Sequence, residues 1–452
     1  MSVLALEKLF TLVALLFYTD ALAFRSLFAA SEGGAVAPSA YNPLDPLLSL
    51  LQHSIFLASL LLLGYRAQAT LATLLRNKAM CALLLVSLIS ILWSAKPEVT
   101  EPRSLALMET TVFGIYFAAR YTLREQLRWV SWVIAVPAVL SLLMAGALPG
   151  NAIESGVHAG ALRGILIHKN LLARLMVLGV MAMTLNLQGE PRRLKQALLA
   201  LTLGAVVLST SKSALIVLFL LWLLWLLHRT VHLSLNRAIP IWCVSLLIVG
   251  GGGTILMASA EKLLTAAGRD ITLSGRTPLW AALIDKIQER PWFGYGYLGF
   301  WHGYDGESAY VGKYLANAYL PPHAHNGFFE LLLAFGLVGG GLFLLTFVLN
   351  YQAALRLGRA TGQPIDYWPV MYLAYIVLYN QTESSLINHN SIYWVLYIAL
   401  SFSRFVVPVG LASGAAPLNR EGAEEEDIRP LAPSGLAPSG LEHAVGQEIN
   451  HG

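Results

Sequence analysis

An all-α polytopic membrane protein is the fold class the sequence predicts, and three observations predict it. Charged side chains, 30 basic and 26 acidic, make up only 12% of the 452 residues, about half of the roughly 25% usual in soluble domains. Hydrophobic residues reach 56%. Apolar runs of about 20 residues, the length that crosses a bilayer, recur along the chain. This composition excludes a soluble globular domain, a disordered chain and a nucleic-acid binder. The formal charge of +4 is small, so the placement of charges carries more information than their sum. Cys81 and Cys243 lie inside separate apolar runs and read as small buried hydrophobes, with no disulfide framework.

The first run, 4–24, carries Glu7 and Lys8 and lacks a small-residue cleavage site, which predicts a retained span rather than a cleaved signal. Further spans are expected at 47–65, 79–95, 104–120, 129–146, 169–187, 195–210, 212–228, 238–258, 328–350, 367–381 and 389–407, about twelve in all. Only Ser209-Thr210-Ser211-Lys212-Ser213 separates the seventh from the eighth. With the N-terminus in the cytoplasm, the inner loops hold Arg66, Arg76, Lys78, Arg120, Arg124, Arg128, Arg192, Arg193, Lys195, Arg229, Arg237, Arg356, Arg359 and Arg404. The short outer loops hold Arg25, Lys96, Arg103, Arg163, Lys169 and Lys212. Basic residues resist translocation, so this bias fits twelve spans with both termini cytoplasmic. It also favours the break at Ser209, because merging those two spans would invert every later loop.

Residues 1–258 thus form spans one to nine and residues 259–327 a large periplasmic loop. Residues 328–407 form spans ten to twelve. In the loop, Thr277-Pro278 starts a helix, Trp280, Leu283, Ile284 and Ile287 follow helical spacing, and Pro291 stops it. An amphipathic helix on the membrane surface is expected. Aromatic residues follow, from Trp292 and Phe293 to Tyr319. Residues 408–452 are rich in Pro, Gly, Ala and acid, with Glu424-Glu425-Glu426-Asp427 and a duplicated Leu-Ala-Pro-Ser-Gly, and read as a disordered cytoplasmic tail.

Unusual polar groups gather at the outward ends of the spans. Arg163, His168, Lys169, Asn170 and Arg174 surround the sixth; Ser209, Ser211 and Lys212 precede the eighth; Arg269 and Arg276 lie in the loop; His323, His325, Asn326 and Glu330 stand at the tenth. Ionisable groups at membrane depth are costly and so are functional candidates. Snorkelling to headgroups accounts for any one of them, and a satisfied structural role accounts for a lone histidine. The set falls on one side of the membrane, which suits an anion anchored in the bilayer, such as a polyprenyl diphosphate, gripped by arginine forks. Nearby aromatic faces suit sugar rings, or form an interfacial belt. The most specific string is Pro321-Pro322-His323-Ala324-His325-Asn326-Gly327, with Gly336 and Gly339 beyond it. A histidine at a helix N-terminus meets the positive end of the dipole, which favours neutral imidazole and a general base near neutral pH.

These strings together resemble the bacterial O-antigen ligase and O-antigen polymerase superfamily, including exopolysaccharide polymerases, over about residues 90–410. His325-Asn326 with Gly336 and Gly339 is similar to its His-Asn motif. Ser274-Gly275-Arg276-Thr277-Pro278-Leu279-Trp280, with Pro291-Trp292-Phe293-Gly294-Tyr295-Gly296, resembles the start of its periplasmic loop. Arg163-Gly164, His168-Lys169-Asn170, Ser209 to Ser213, and Leu92-Trp93-Ser94 with Pro97 and Thr100 resemble its upstream patterns. The resemblance implies a GT-C-type glycosyltransferase of the inner membrane that transfers a glycan from an undecaprenyl-diphosphate-linked donor on the periplasmic face, without cofactor or metal. It implies His325 as the base on the acceptor hydroxyl, and Arg276 and Arg163 as holders of the diphosphate. Lys212 stands where relatives often carry Arg. Substrate contacts are expected from Lys212, His168, Lys169, Asn170, Arg174, His323, Asn326 and Trp280.

No outer loop contains Asp-x-Asp. Asp305-Gly306-Glu307 comes nearest and reads as a solvated turn. The leading expectation is a polymerase of exopolysaccharide or O-antigen repeats, working with a lipid-linked donor, a glycan acceptor and other assembly proteins such as a chain-length regulator. The alternative is a ligase to lipid A-core. A flippase of lipid-linked sugars would show polar residues near the bilayer midplane on paired broken helices, and a scaffold gives no reason for a basic outer cluster.

Overall fold

Local sequence sets the helix starts. Asn77 accepts a hydrogen bond from the Met80 amide, and Thr122 and Glu125 form a reciprocal capping box. His168 accepts from the Asn170 amide through Nδ1, and Asn326 Oδ1 takes the amides of Phe328 and Phe329 at 2.9 and 3.3 Å. The structure, a computed structural model, describes residues 2–28, 42–186, 191–230, 276–315 and 320–405. The predicted ninth span, Cys243, Arg269, Ser274-Gly275, Tyr319 and the C-terminal tail lie outside those residues.

Among the described residues the chain is helical, with one isolated bridge between Ile153 and Leu162. Single turns aside, its helices are α1 (Val3–Tyr18), α2 (Asp45–Tyr65), α3 (Ala67–Leu74), α4 (Lys78–Ile89), α5 (Pro97–Arg120), α6 (Leu123–Ala147) and α7 (Lys169–Leu185). They continue with α8 (Arg192–Leu208), α9 (Lys212–Thr230), α10 (Arg276–Glu289), α11 (Ala309–Tyr314), α12 (Gly327–Thr361), α13 (Trp368–Tyr379) and α14 (Ile392–Phe402). The break predicted at Ser209 separates α8 from α9. Among the described residues four helices, α2, α6, α9 and α12, are long and apolar enough to cross a membrane. A fifth span arises if α3 and the stretch Lys78–Trp93, bent by 92°, count together. The other predicted spans that can be described hold shorter helices or, in α5, a more polar one.

Apolar side chains face outward as well as inward. Leu50, Leu57 and Leu61 of α2 and Leu337, Leu344 and Leu345 of α12 are exposed, as expected of helices whose surroundings are lipid rather than water. The interior is held by polar links between helices, a pattern suited to association without a hydrophobic driving force. Every residue of α14 is buried. Trp394 donates to Thr111 Oγ1 at 2.9 Å, Asn350 donates to Ser401 Oγ at 2.7 Å, and Tyr397 bonds the Thr346 hydroxyl at 3.0 Å. Cys81 is half-buried and unpaired.

A backbone clip fixes the loop against the bundle. At Gly336 the chain of α12 turns to φ +60°, which breaks the helical ladder there. The freed groups bond to the Pro291–Gly296 segment: Leu337 and Val338 amides donate to Pro291 and Trp292 carbonyls, and Tyr295 and Gly296 amides donate to Leu333 and Ala334 carbonyls. On its other side the segment meets Leu92-Trp93-Ser94. Trp93 Nε1 donates to Phe293 O, Ala95 N to Tyr295 O, and Thr100 Oγ1 to Tyr297 O. The expected amphipathic helix exists as α10, but its buried face differs from the predicted one. Leu279, Ala282, Leu283 and Lys286 are buried, whereas Ile284 is 44% exposed. The helix packs on α11 and α12, so protein neighbours rather than periodicity alone select its inner face. Lys286 is held in that face by Glu289 and Glu307.

Candidate functional site

The Pro-Pro-His-Ala-His-Asn string is bent into a tight loop ahead of α12. His325 takes the left-handed backbone conformation, φ +51°, which is uncommon for a side-chain-bearing residue and marks a constrained site. The turn brings the His323 and His325 rings to 4.1 Å between centroids, and His323 Nδ1 accepts the His325 amide at 3.2 Å. Trp280 of α10 donates to Ala324 O at 2.9 Å and stacks on Phe329, tying α10 to the histidine loop. Glu330 accepts from Trp301 Nε1 and from the Ala324 amide. Asn326 has a capping role here rather than a free side chain.

Arg276 opens α10, and its charge acts on His325, His323 and Glu383. Arg174, on α7, acts on His323 and Glu383 and lies 4.4 Å over the Tyr393 ring. Its Nε is buried and without a hydrogen-bond partner among the described residues, as is Tyr379 Oη. Burial, then the neighbouring charges, pulls both imidazoles down to about 4: Arg276 acts on His325, and His325, Arg276 and Arg174 act on His323. The neutral imidazole expected from a helix dipole therefore has burial and nearby cations as its causes. Burial pushes the Glu383 carboxyl up, against the pull of Arg174 and Arg276. A cavity of about 350 Å³ opens beside this group, lined by Arg103, Tyr297, Trp301, His323, Glu330 and Ser384 among others.

The remaining predicted residues form a second group. Arg163 is 3% exposed, and its Nε donates to Asn151 O at 2.7 Å. Gly164, at φ +60°, brings the backbone so close to Ser141 that a Cβ would sit 2.1 Å from its Oγ. Lys169 Nζ reaches Thr210 Oγ1 at 3.4 Å, and Ser211 donates to Asn170 Oδ1 at 3.0 Å. Lys212 is exposed at the first position of α9. Glu154, His158 and His168 bring potential ligand atoms within 4.8 Å of one another. His168 Nδ1, however, accepts the Asn170 amide, so the neutral ring carries its proton on Nε2, 3.7 Å from Glu154 Oε1. In that tautomer Nε2 bears a proton and offers no lone pair to a cation, while Glu154 Oε1 accepts the Lys169 amide. Asp305-Gly306-Glu307 does not gather ligands either, since Glu307 pairs with Lys286 and Arg290.

The chain matches the O-antigen ligase family over residues 197–344, a stretch that contains Lys212, Arg276, Trp280, His323, His325 and Asn326. It is also 32% identical over 123 residues to the exopolysaccharide production protein ExoQ of Rhizobium meliloti (strain 1021), a match covering 26% of this chain and 28% of that protein. Both likenesses are partial, and the second spans little more than a quarter of the relative's length. Arg163, His168, Lys169, Asn170 and Arg174 lie before the matched domain and join it only through the fold. Glu383 and Tyr393 were missed from sequence. The polar run Asn380-Gln381-Thr382-Glu383-Ser384-Ser385 between two apolar stretches was the available signal.

Proposed function

We propose that the protein is a membrane glycosyltransferase that polymerises undecaprenyl-diphosphate-linked repeats at the periplasmic face of the inner membrane, as a twelve-span GT-C enzyme with both termini cytoplasmic. The observation that carries this reading is the meeting of Arg276 and Arg174, from separate helices, at the His323–His325 pair, with a buried Arg174 Nε that has no hydrogen-bond partner among the described residues. Two guanidinium groups suit a diphosphate, and a neutral imidazole beside them suits proton removal. His325 takes the proton of the acceptor sugar hydroxyl as its oxygen attacks the anomeric carbon from the face opposite the diphosphate. The bond from that carbon to the phosphate oxygen breaks, the configuration inverts, and Arg276 and Arg174 stabilise the departing negative charge. Arg163, tied to the Asn151 carbonyl, would shape the neighbouring loop rather than grip the donor. The cavity beside the histidines, with Tyr297 and Trp301 in its wall, is the place for the acceptor sugar.

The likeness to an exopolysaccharide production protein favours polymerisation; the matched family favours its ligase alternative, transfer to lipid A-core. Purified protein incubated with lipid-linked repeats, with and without lipid A-core, separates them. A ladder formed without core is expected. A single transfer that requires core establishes the ligase, and no transfer under either condition refutes both.

A further inference from the structure

A second cavity, of about 530 Å³, lies at the other end of the bundle and takes no part in the chemistry above. The two cavities share helix α5: Arg103 lines the first and Arg120 the second, roughly 25 Å apart at about 1.5 Å per residue. Arg76, Arg120, Arg124 and Arg404 line the second cavity, each from a different segment, against a single lining carboxylate, Asp366. That carboxylate is already engaged. Arg124 holds it through two bonds, Nε to Oδ1 at 2.8 Å and Nη2 to Oδ2 at 2.6 Å. Arg120 pairs at 3.1 Å with Glu7, which Arg66 also claims.

Arg76 and Arg404 have no carboxylate partner among the described residues. Arg76 is nonetheless positioned, since its Nη1 donates to Phe402 O at 2.9 Å, next to the segment that carries Arg404. Burial and the Arg404 charge both weaken its hold on its proton. Both side chains are exposed at the recess, where two neighbouring guanidinium groups raise the local positive potential and so favour a bound anion. Small apolar walls, Ala69, Ala118 and Leu357, flank the charges. The recess therefore offers forks for oxyanions and a surface for an uncharged stem.

We propose that this cavity binds a phosphate-bearing anion, the headgroup of an anionic phospholipid or a soluble phosphate, between Arg76 and Arg404. Basic recesses between helices hold such headgroups in other membrane proteins. The test uses the purified full-length chain, stripped of lipid, in three arms: short-chain phosphatidylglycerol, short-chain phosphatidylcholine and inorganic phosphate. The readouts are thermal stability and lipid retained in native mass spectrometry. Stabilisation by phosphatidylglycerol but not phosphatidylcholine supports a lipid headgroup; equal stabilisation by inorganic phosphate supports a soluble ligand. The double variant R76A/R404A should lose affinity roughly 25-fold, a factor of about five for each arginine, whereas R128A should not. Should the double variant fail to fold, the wild-type arms still decide. No discrimination between the anionic and zwitterionic probes overturns the proposal. So does anion binding that appears only after residues 408–452 are deleted, because the acidic tail would then be the occupant.

Discussion

Replacing Gly336 by alanine tests whether the clip between α12 and the Pro291–Gly296 segment holds the site together. A Cβ at Gly336 would stand 2.4 Å from the Trp292 carbonyl carbon and 2.6 Å from Phe293 N. Those are backbone atoms flanked by four main-chain hydrogen bonds, so they cannot swing aside as a side-chain tip would. Gly336 combines φ +60° with ψ −157°, a backbone region essentially reserved for glycine, which costs alanine about 1–3 kcal/mol, and forcing a methyl into a filled site costs about 1–3 kcal/mol more. The expected destabilisation is roughly 2–6 kcal/mol. Gly341 is the control: it lies on the same helix with nothing within 4 Å of its would-be Cβ, so alanine there should be neutral or stabilising by up to about 1 kcal/mol. Thermal unfolding in nanodiscs, with donor turnover measured in parallel, gives both readouts. Turnover should fall with stability in G336A, because the same segment joins Arg276 on α10 to His325 ahead of α12. Equal melting temperatures for G336A and G341A would refute the reasoning.

Further predictions concern the chemistry. His325→Ala should abolish glycan transfer while donor binding stays largely intact, measured by lipid-linked donor retention; near-normal turnover removes His325 from the mechanism. Arg276→Lys keeps the charge but loses the fork, so transfer should drop by about tenfold or more, the loss of one charge-assisted bond, and unchanged activity would mean that Arg276 does not grip phosphate. With His323 and His325 at about 4 in the folded chain and near 6.5 when unfolded, the unfolded state binds more protons between those values. Stability should therefore be full above about pH 6.5 and decline as pH falls toward 4. Transfer should stay flat from neutral pH down to about 5 and then drop, whereas a profile falling through 6.5 would show an unburied base.

Much was legible before any coordinates. Apolar runs gave α2, α6, α9 and α12, because a span must satisfy its own backbone and shows itself as an unbroken stretch. The Ser209 break and the Pro291 stop are local events written in local residues, whereas Asn326, expected to contact substrate, turns out to cap α12. The glycines of Pro291–Gly296 and Gly336 could be singled out, but not that they meet. Their pairing depends on a close backbone approach between segments distant in sequence, which no periodicity records.

The sequence by itself determined an all-helical membrane chain and the residues able to hold an anion and accept a proton, since composition and residue chemistry are properties of each position alone. Only the tertiary structure decided which of them meet. It set Arg174 with Arg276, His323, His325 and Glu383, and turned Arg163 to a loop carbonyl. It also half-buried the imidazoles, so that partial desolvation and neighbouring charge, rather than position at a helix end, keep them neutral.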